Sequence, residues 1–547
     1  MRTSWITMSM AMAGALAPAA PALACGGFFC SSAPVDQAGE EVIYSLERDG
    51  SLTMTVRVEY AGLDEDFAWI LPVPVPPASI GVGTEAIFDA LRQTTQPMFL
   101  LRDRTEGTCR EHPMCVYAGG GAAYTGGCGF GAASPYAGPY VDAGAGSYAD
   151  AAAASDAAPP DPGVVVYSES TVGPYDTVVL GASTAAEVIE WLNDHAYDVP
   201  VESLPLLEPY AAQGQVFVAL RLSANRRNGT LRPIVLRMPT VEACLPIRLT
   251  AIASVPELPI TAYFLGRARV RPHNFSAAEI EITRDFWTVG RTWETAVRER
   301  VQALSGRAFA TDYAGATPAL RFGLPSVEDL AAETNATAFL QELSTRGYPR
   351  DALMLEVLTR FLAPPPSMAA RDYINCLFMA SCAAPAVFDS AGLAAAIDAE
   401  IRQPRADAEA MLFRHGYLTR LSTFMRVEDM TIDPVFVEDE GLEDVSNVHF
   451  AEQLRRCDEQ HYLEGAPTTL VTPDGYRRQL FAGTQADDDA YCRSFGAYVA
   501  GTEPRARATG CLCRAGGPSS WQGGLVLLAL AGLALRRWRR HRSARQA

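Results

Sequence analysis

Cys25 is the residue with the clearest route to chemistry in this chain. Removal of the residues before it would place its thiol beside a free α-amine able to serve as its base, the arrangement of N-terminal-nucleophile hydrolases. A disulfide to Cys30 is the competing use, and an oxidising compartment favours it. Asp176-Thr177 begins like an aspartic-protease signature, but the glycine is missing and the pair opens a strand, so it reads as structural. Asn193, Asp194, His195 and Asp198 could offer oxygen and nitrogen ligands near a helix end, although a solvated capping cluster accounts for them better. The acidic residues Glu438, Asp439, Glu440, Glu443 and Asp444 lack the glycine and spacing of an EF-hand loop and read as a charged loop. Seven histidines are present, and no H-E-x-x-H, G-x-S-x-G or P-loop pattern occurs. No catalytic residue beyond Cys25, no metal site and no cofactor is expected.

Twelve cysteines in a chain bound for export imply disulfides. Ten fall between Cys25 and Cys492, and spacing suggests Cys25 with Cys30, Cys109 with Cys115, Cys376 with Cys382, and Cys457 with Cys492, leaving Cys128 and Cys244 as a fifth pair. Other connectivities stay open, since spacing alone does not choose among them.

Both ends of the chain carry an address. Arg2, an apolar stretch over 5–16 and the small residues Ala22 and Ala24 form a secretory signal peptide cleaved between Ala24 and Cys25. Lipidation of Cys25 is left open. At the other end, Cys511 and Cys513 precede an apolar run over 521–535 and six arginines between Arg536 and Arg545. A helix over about 517–536 would span a bilayer with snorkelling arginines on its cytoplasmic side. The two ends therefore agree on a single-pass topology with the N-terminus outside the cytoplasm.

Every basic side chain apart from histidine is arginine. Setting aside Arg2 and the seven arginines from Arg514 onward leaves 37 basic against 63 acidic residues, a net charge of −26. Such an acidic body repels nucleic acid and anionic membrane surfaces. The membrane is expected as a partner only through the C-terminal helix.

The elements that would position these residues fall into an α+β pattern. Residues 41–46 and 52–60 flank Asp49-Gly50, a hairpin signal for a type I′ turn, and Leu52, Met54, Val56, Val58 and Tyr60 alternate with polar residues to bury one face. Further strands are expected at 67–71, 164–167, 177–180, 215–222, 234–238, 246–252 and 260–270, with helices at 84–94 and after the Thr184/Glu187 capping box. Residues 119–163, rich in Gly, Ala, Tyr, Ser and Pro, read as a flexible insertion. Beyond 275 the pattern turns helical, at 326–346, 351–362, 368–378, 393–401, 406–421 and 450–457. The expected organisation is a signal peptide (1–24), an antiparallel two-layer α+β sheet domain (25–275), a mainly helical domain (276–460), an irregular cysteine-linked segment (461–510) and a sorting tail (511–547).

Two resemblances bear on function. The tail resembles the myxobacterial C-terminal sorting signal, in which a cysteine precedes a short transmembrane helix and an arginine cluster. That resemblance implies recognition and cutting by a sorting protease near Cys511 or Cys513, followed by transfer to the outer membrane or cell surface. The body, through Cys25-Gly-Gly-Phe-Phe-Cys30, Pro34-Val-Asp-Gln37, Phe67-Ala-Trp-Ile-Leu-Pro-Val-Pro74, Val172-Gly-Pro-Tyr-Asp176, Tyr417-Leu-Thr-Arg-Leu421 and Met430-Thr-Ile-Asp-Pro-Val-Phe436, resembles a family of exported bacterial proteins common in myxobacteria and defined only as a domain of unknown function. That resemblance covers most of 25–450 and implies no activity. The chain is expected to be a disulfide-linked scaffold or binding module of the cell envelope, its ligand unspecified; the alternative is an envelope hydrolase built on Cys25.

Overall fold

The computed structural model describes residues 28–29, 36–61, 68–116 and 163–501, with short breaks at 198, 200–202, 223–230, 241, 252–255 and 386. The expected signal peptide, insertion, sorting tail and transmembrane helix lie outside the described residues, as do Ala24, Cys25, Cys30, Cys128, Cys511 and Cys513. Among the described residues no helix is long and apolar enough to cross a membrane. The described residues fall into two compact units, one within 1–108, 139–458 and 466–484, the other within 109–138, 459–465 and 485–547.

The first unit is α+β, built around two sheets. An eight-stranded sheet runs Ser276–Ala277, Ala308–Ala316, Tyr417–Arg426, Glu257–Gly266, Asp36–Leu46, Leu52–Ala61, Ile234–Met238, Ser79–Val82. A five-stranded sheet runs Phe28–Phe29, Ala68–Val73, Val216–Leu222, Tyr175–Ala182, Val164–Val172. Alternate residues of facing strands meet in one core: Val42, Tyr44, Leu52, Met54, Val56, Leu236, Ile260 and Phe264 from the large sheet, Trp69, Leu71, Val179, Val218 and Leu220 from the small one.

Both outer faces are covered as well, so the two layers become four. On the small sheet, Ile70, Val178, Leu180 and Phe217 pack against Val188, Leu192, Leu207 and Tyr210 of the helices Ala185–Asp194 and Leu204–Ala212. The first of these helices starts at the expected capping box, with both reciprocal hydrogen bonds between Thr184 and Glu187 formed. On the large sheet, Ile43, Tyr263, Leu265 and Leu418 pack against Ile87, Phe88 and Leu91 of helix Glu85–Thr95 and Met411 and Leu412 of helix Gln403–Arg414. This second layer explains why Thr55 and Arg57, on the face read from sequence as polar, are buried.

Several local expectations are corrected. The Asp49-Gly50 turn is not type I′: Gly50 alone takes a positive φ of 82°, and the Glu47 carbonyl accepts from Gly50 N–H while Glu47 N–H donates to Ser51, a three-residue hairpin loop with a bulge. The sheet is not purely antiparallel, since Glu257–Gly266 runs parallel to Asp36–Leu46 at its centre. Residues 247–250 are a short helix instead of a strand, because the Asp433 carboxylate accepts the Arg248 N–H and satisfies a helix-start donor. The helix expected over 450–457 is instead strand Val448–Arg456, which pairs in parallel with the distant Met98–Glu106, a partner that no local pattern shows. Helix Gln403–Arg414 stops before Gly416, and Tyr417–Arg426 enters the large sheet beside Glu257–Gly266. The sheet thus draws strands from both sides of residue 275.

The helices between residues 328 and 401 form a separate apolar cluster around Phe339, Leu340, Val357, Leu358, Leu377 and Leu393. The single helix expected over 326–346 is a 3-10 turn, Glu328–Ala332, followed by Ala336–Thr345, whose start Asn335 caps through Ala338 N–H. Within the segment 461–510, read as irregular, Thr468–Val471 and Arg477–Phe481 are strands of a four-stranded sheet with Met98–Glu106 and Val448–Arg456.

Candidate functional site

Charged side chains cross the helix-covered face of the large sheet in a row. Arg57 stands opposite Glu41 in register and is ion-paired with it; Arg57 also reaches Glu85 at 2.9 Å, and Arg92 reaches Glu41 at 2.8 Å. Glu85 and Arg92 belong to the helix laid over these strands, so the ion pairs fix that helix on the sheet. Further along, Arg420 stands opposite Tyr263, and its Nε lies 3.0 Å from Asp312 Oδ2. Asp312 sits at a break in register between Thr311 and Tyr313, the kind of bulge that re-aims a side chain. It is 1 % exposed and accepts from Ser422 Oγ and Trp293 Nε1, both at 2.7 Å. Burial raises its pKa, opposed by Arg420 and these two hydrogen bonds. These carboxylates are ion-paired with arginines of the same face, which is the geometry of buried structural pairs.

At the end of strand Asp36–Leu46 a serine, a histidine and a glutamate meet. Ser45 Oγ lies 2.7 Å from His415 Nε2 and donates to Glu47 Oε1 at 2.9 Å; Glu47 Oε2 is 3.6 Å from the same Nε2. In an acyl-transfer triad the acid holds the other ring nitrogen, leaving Nε2 to the nucleophile. Here both partners crowd one nitrogen and Ser45 is 0 % exposed. The cluster clamps the strand end to the C-terminal cap of helix Gln403–Arg414, and burial lowers the His415 pKa. Ser45 and His415 are 370 residues apart, and no sequence pattern links them.

A third cluster lines a cavity of about 230 Å³ at the rim of the core between the sheets. Gln213, Gln215, Glu242 and Cys244 contribute polar lining; Met54, Met238 and Pro72 contribute apolar lining, with the Tyr210 ring beside them. Cys244 is the free cysteine among the described residues. Its backbone is fixed by the Tyr44 hydroxyl, which donates to its carbonyl at 2.8 Å, and by pairing with Val435. Burial, followed by the Asp433 and Glu242 carboxylates, pushes its thiol pKa up, so it is held as a protonated thiol. Asp433 comes from the stretch Met430 to Phe436 singled out in the sequence, and burial raises its pKa too.

Cys115 bridges Cys492, with Cα atoms 5.4 Å apart, in place of the spacing-based pairs Cys109 with Cys115 and Cys457 with Cys492. Cys109 and Cys457 are each disulfide-bonded, and Cys376 bridges Cys382. The free Cys244 thiol removes the suggested bridge to Cys128. Asp176 accepts from Thr171 at 3.0 Å beside the Gly173-Pro174 turn. His195 stacks on Trp191 at 3.7 Å and caps its helix, while Asn193 bonds both the N–H and the carbonyl of Val199, which is the capping arrangement. In the acidic run, Glu438 accepts from Arg267 and Ala268 N–H groups, Asp439 pairs with Arg271 and Asp444 accepts from Tyr417. Among the described residues no group of three His, Cys, Asp or Glu side chains is disposed to hold a metal ion.

In the second unit, the Cys115–Cys492 bridge joins strand Cys115–Val116 to helix Asp488–Ser494. Arg110 and Tyr462 both bond Asp488, and His112 packs against Tyr462 and Tyr491 with ring centres 4.5 and 4.3 Å away.

No curated protein and no solved structure matches the chain significantly. A model of one bacterial family matches residues 18–377, a span that holds the whole small sheet and every strand of the large one except Tyr417–Arg426. On that match the chain belongs to DUF2330, a family of uncharacterized proteins conserved in bacteria.

Proposed function

We propose that the protein is exported and held at the cell envelope as a disulfide-stabilised binding scaffold that runs no reaction of its own. The observation that carries this reading is the set of six disulfide-bonded cysteines among the described residues, Cys109, Cys115, Cys376, Cys382, Cys457 and Cys492. Bridges of this number persist where thiols are oxidised, outside the reducing cytoplasm. The bridge from Cys115 to Cys492 spans 377 residues, the kind of long closure that gains most from constraining the unfolded chain. The buried acid and base groups support the scaffold reading from another side, because Glu41, Asp312 and His415 are engaged by Arg57, Arg420 and Ser45 in contacts that hold elements together. In this reading the signal peptide delivers the chain, the C-terminal helix anchors it through the membrane, and a sorting protease cuts near Cys511 or Cys513 before transfer to the surface.

Cell fractionation with peptide mapping under non-reducing conditions tests it. The expected result is protein in the envelope fraction, beginning at Cys25, with peptides of Cys115 and Cys492 joined. Recovery from the cytosol with an intact Met1 terminus and free thiols at 115 and 492 would overturn it.

A further inference from the structure

The chain that leaves the edge of the large sheet carries backbone groups that the fold does not use. Strand Ser276–Ala277 is that edge, paired with Ala308–Ala316, and the pairing runs one bond further, from the Ala278 N–H to the Phe309 carbonyl. Residues 279–282 continue with the period of an extended strand: Glu279 and Glu281 are exposed, Ile280 and Ile282 half-buried. Among the described residues none of these four makes a backbone hydrogen bond. An unpaired run at a sheet edge is a template for an added strand. Beside it lies a groove of about 660 Å³, with residues 279–281 and 283 on one wall and Ala296, Glu299, Arg300 and Ala303 on the other. The second wall is one face of helix Trp293–Ala303, since its residues recur at spacings of three and four, and its two alanines leave the groove wide. That volume lies within the roughly 300–1,000 Å³ of pockets that enclose a ligand. The charges narrow the choice of occupant. Glu279 and Glu281 form no ion pair among the described residues and stand two positions apart on the same side of the run. On the helix wall Glu299 is held by Arg291 at 2.5 Å, which leaves Arg300. Side chains directly opposite Glu279 and Glu281 on an added strand are also two positions apart, so an Arg-x-Arg segment matches them.

We propose that this groove takes an extended peptide segment of a partner protein, added as a strand along residues 279–282, with two arginines in alternate positions paired to Glu279 and Glu281. Arg300, on the facing helix, supplies donors to carbonyl groups of the added chain. The acidic body of the protein adds a field that draws such a cationic segment in. The proposal deepens the binding-scaffold reading and rests on it.

The test uses the disulfide-intact mature protein and capped pentapeptides, with binding read by calorimetry. The probes are Thr-Arg-Val-Arg-Thr, its counterpart Thr-Glu-Val-Glu-Thr, and two forms of the first, N-methylated either at both arginines or at the valine. The expected result is saturable binding of the arginine peptide, with the glutamate peptide at least about tenfold weaker. One N-methylated form loses binding while the other keeps it, because alternate amides of an added strand face its neighbour. Glu279→Gln combined with Glu281→Gln removes the preference for arginine, and Ala303→Trp, at an exposed position, fills the groove and abolishes binding. Absence of saturable binding, equal affinity of the arginine and glutamate peptides, equal behaviour of the two N-methylated forms, or undiminished binding by Ala303→Trp would overturn the site. Any of those results in protein that still fractionates with the envelope and keeps its bridges would leave the envelope reading standing.

Discussion

The two faces of the eight-stranded sheet are made by alternate residues of the same strands, yet they are held by different forces. The face toward the second sheet is hydrocarbon and aromatic, with Val42, Tyr44, Met54 and Phe264 packed among themselves. The face toward the helices mixes apolar contacts at Ile43, Tyr263 and Leu418 with the pairs Glu41–Arg57 and Asp312–Arg420. A dry apolar layer accepts any well-shaped partner, whereas a buried pair accepts one. The charged face therefore defines where each helix sits, and the apolar face supplies most of the stabilisation.

Phe264→Ala, which empties the apolar face beneath Tyr44 at a ring separation of 5.1 Å, should cost about 3–5 kcal/mol in urea unfolding. A loss under 1 kcal/mol would show that the two sheets do not pack as described. Cys115→Ser opens the 377-residue closure and should cost about 2–5 kcal/mol under oxidising conditions and nothing once both forms are reduced. Thr184→Ala removes one capping box and should cost about 1 kcal/mol, leaving the sheets intact by circular dichroism.

The smallest effect is a pH dependence. The His415 pKa is lowered in the fold by burial, with Arg414 and Arg48 acting in the same direction and Glu47 opposing. The unfolded chain therefore binds the proton more readily, so the contribution of neutral His415 is complete above about pH 6.5 and is lost as pH falls below it. The urea midpoint should decline from pH 7 to pH 5.5, and His415→Phe should flatten that decline. An unchanged slope in the variant would remove His415 from the account.

How much of this was legible in the sequence follows from the range of each interaction. Alternation of Leu52, Met54 and Val56 exposes the apolar face, and Thr184 with Glu187 marks a helix start, because both are written within a few residues. The charged face is not legible there. Arg57 alternates with apolar residues and so looks solvated, until helix Glu85–Thr95 brings Glu85 and Asp89 down on it. Arg420 finds Asp312 across 108 positions and a bulge. The same limit misdirected the cysteine pairing: shortest spacing joined Cys109 to Cys115, whereas the fold carries Cys115 to Cys492. Tyr210, which lines the cavity, and Asp433 beside it had no local signal beyond the position of Asp433 in the stretch Met430 to Phe436. Cys25 and the tail cysteines, where the sequence spoke most clearly, lie outside the described residues.

A double-mutant cycle on Asp312 and Arg420 tests most directly whether the buried charges act as a matched pair that accepts only its own partner. Asp312→Leu alone leaves a buried guanidinium without its partner and should cost about 3–5 kcal/mol, and Arg420→Met alone should cost a similar amount. The double variant should recover most of that loss, with Trp293 and Ser422 the remaining unsatisfied donors. Equal and additive losses, with the double variant as unstable as the two singles combined, would contradict the account.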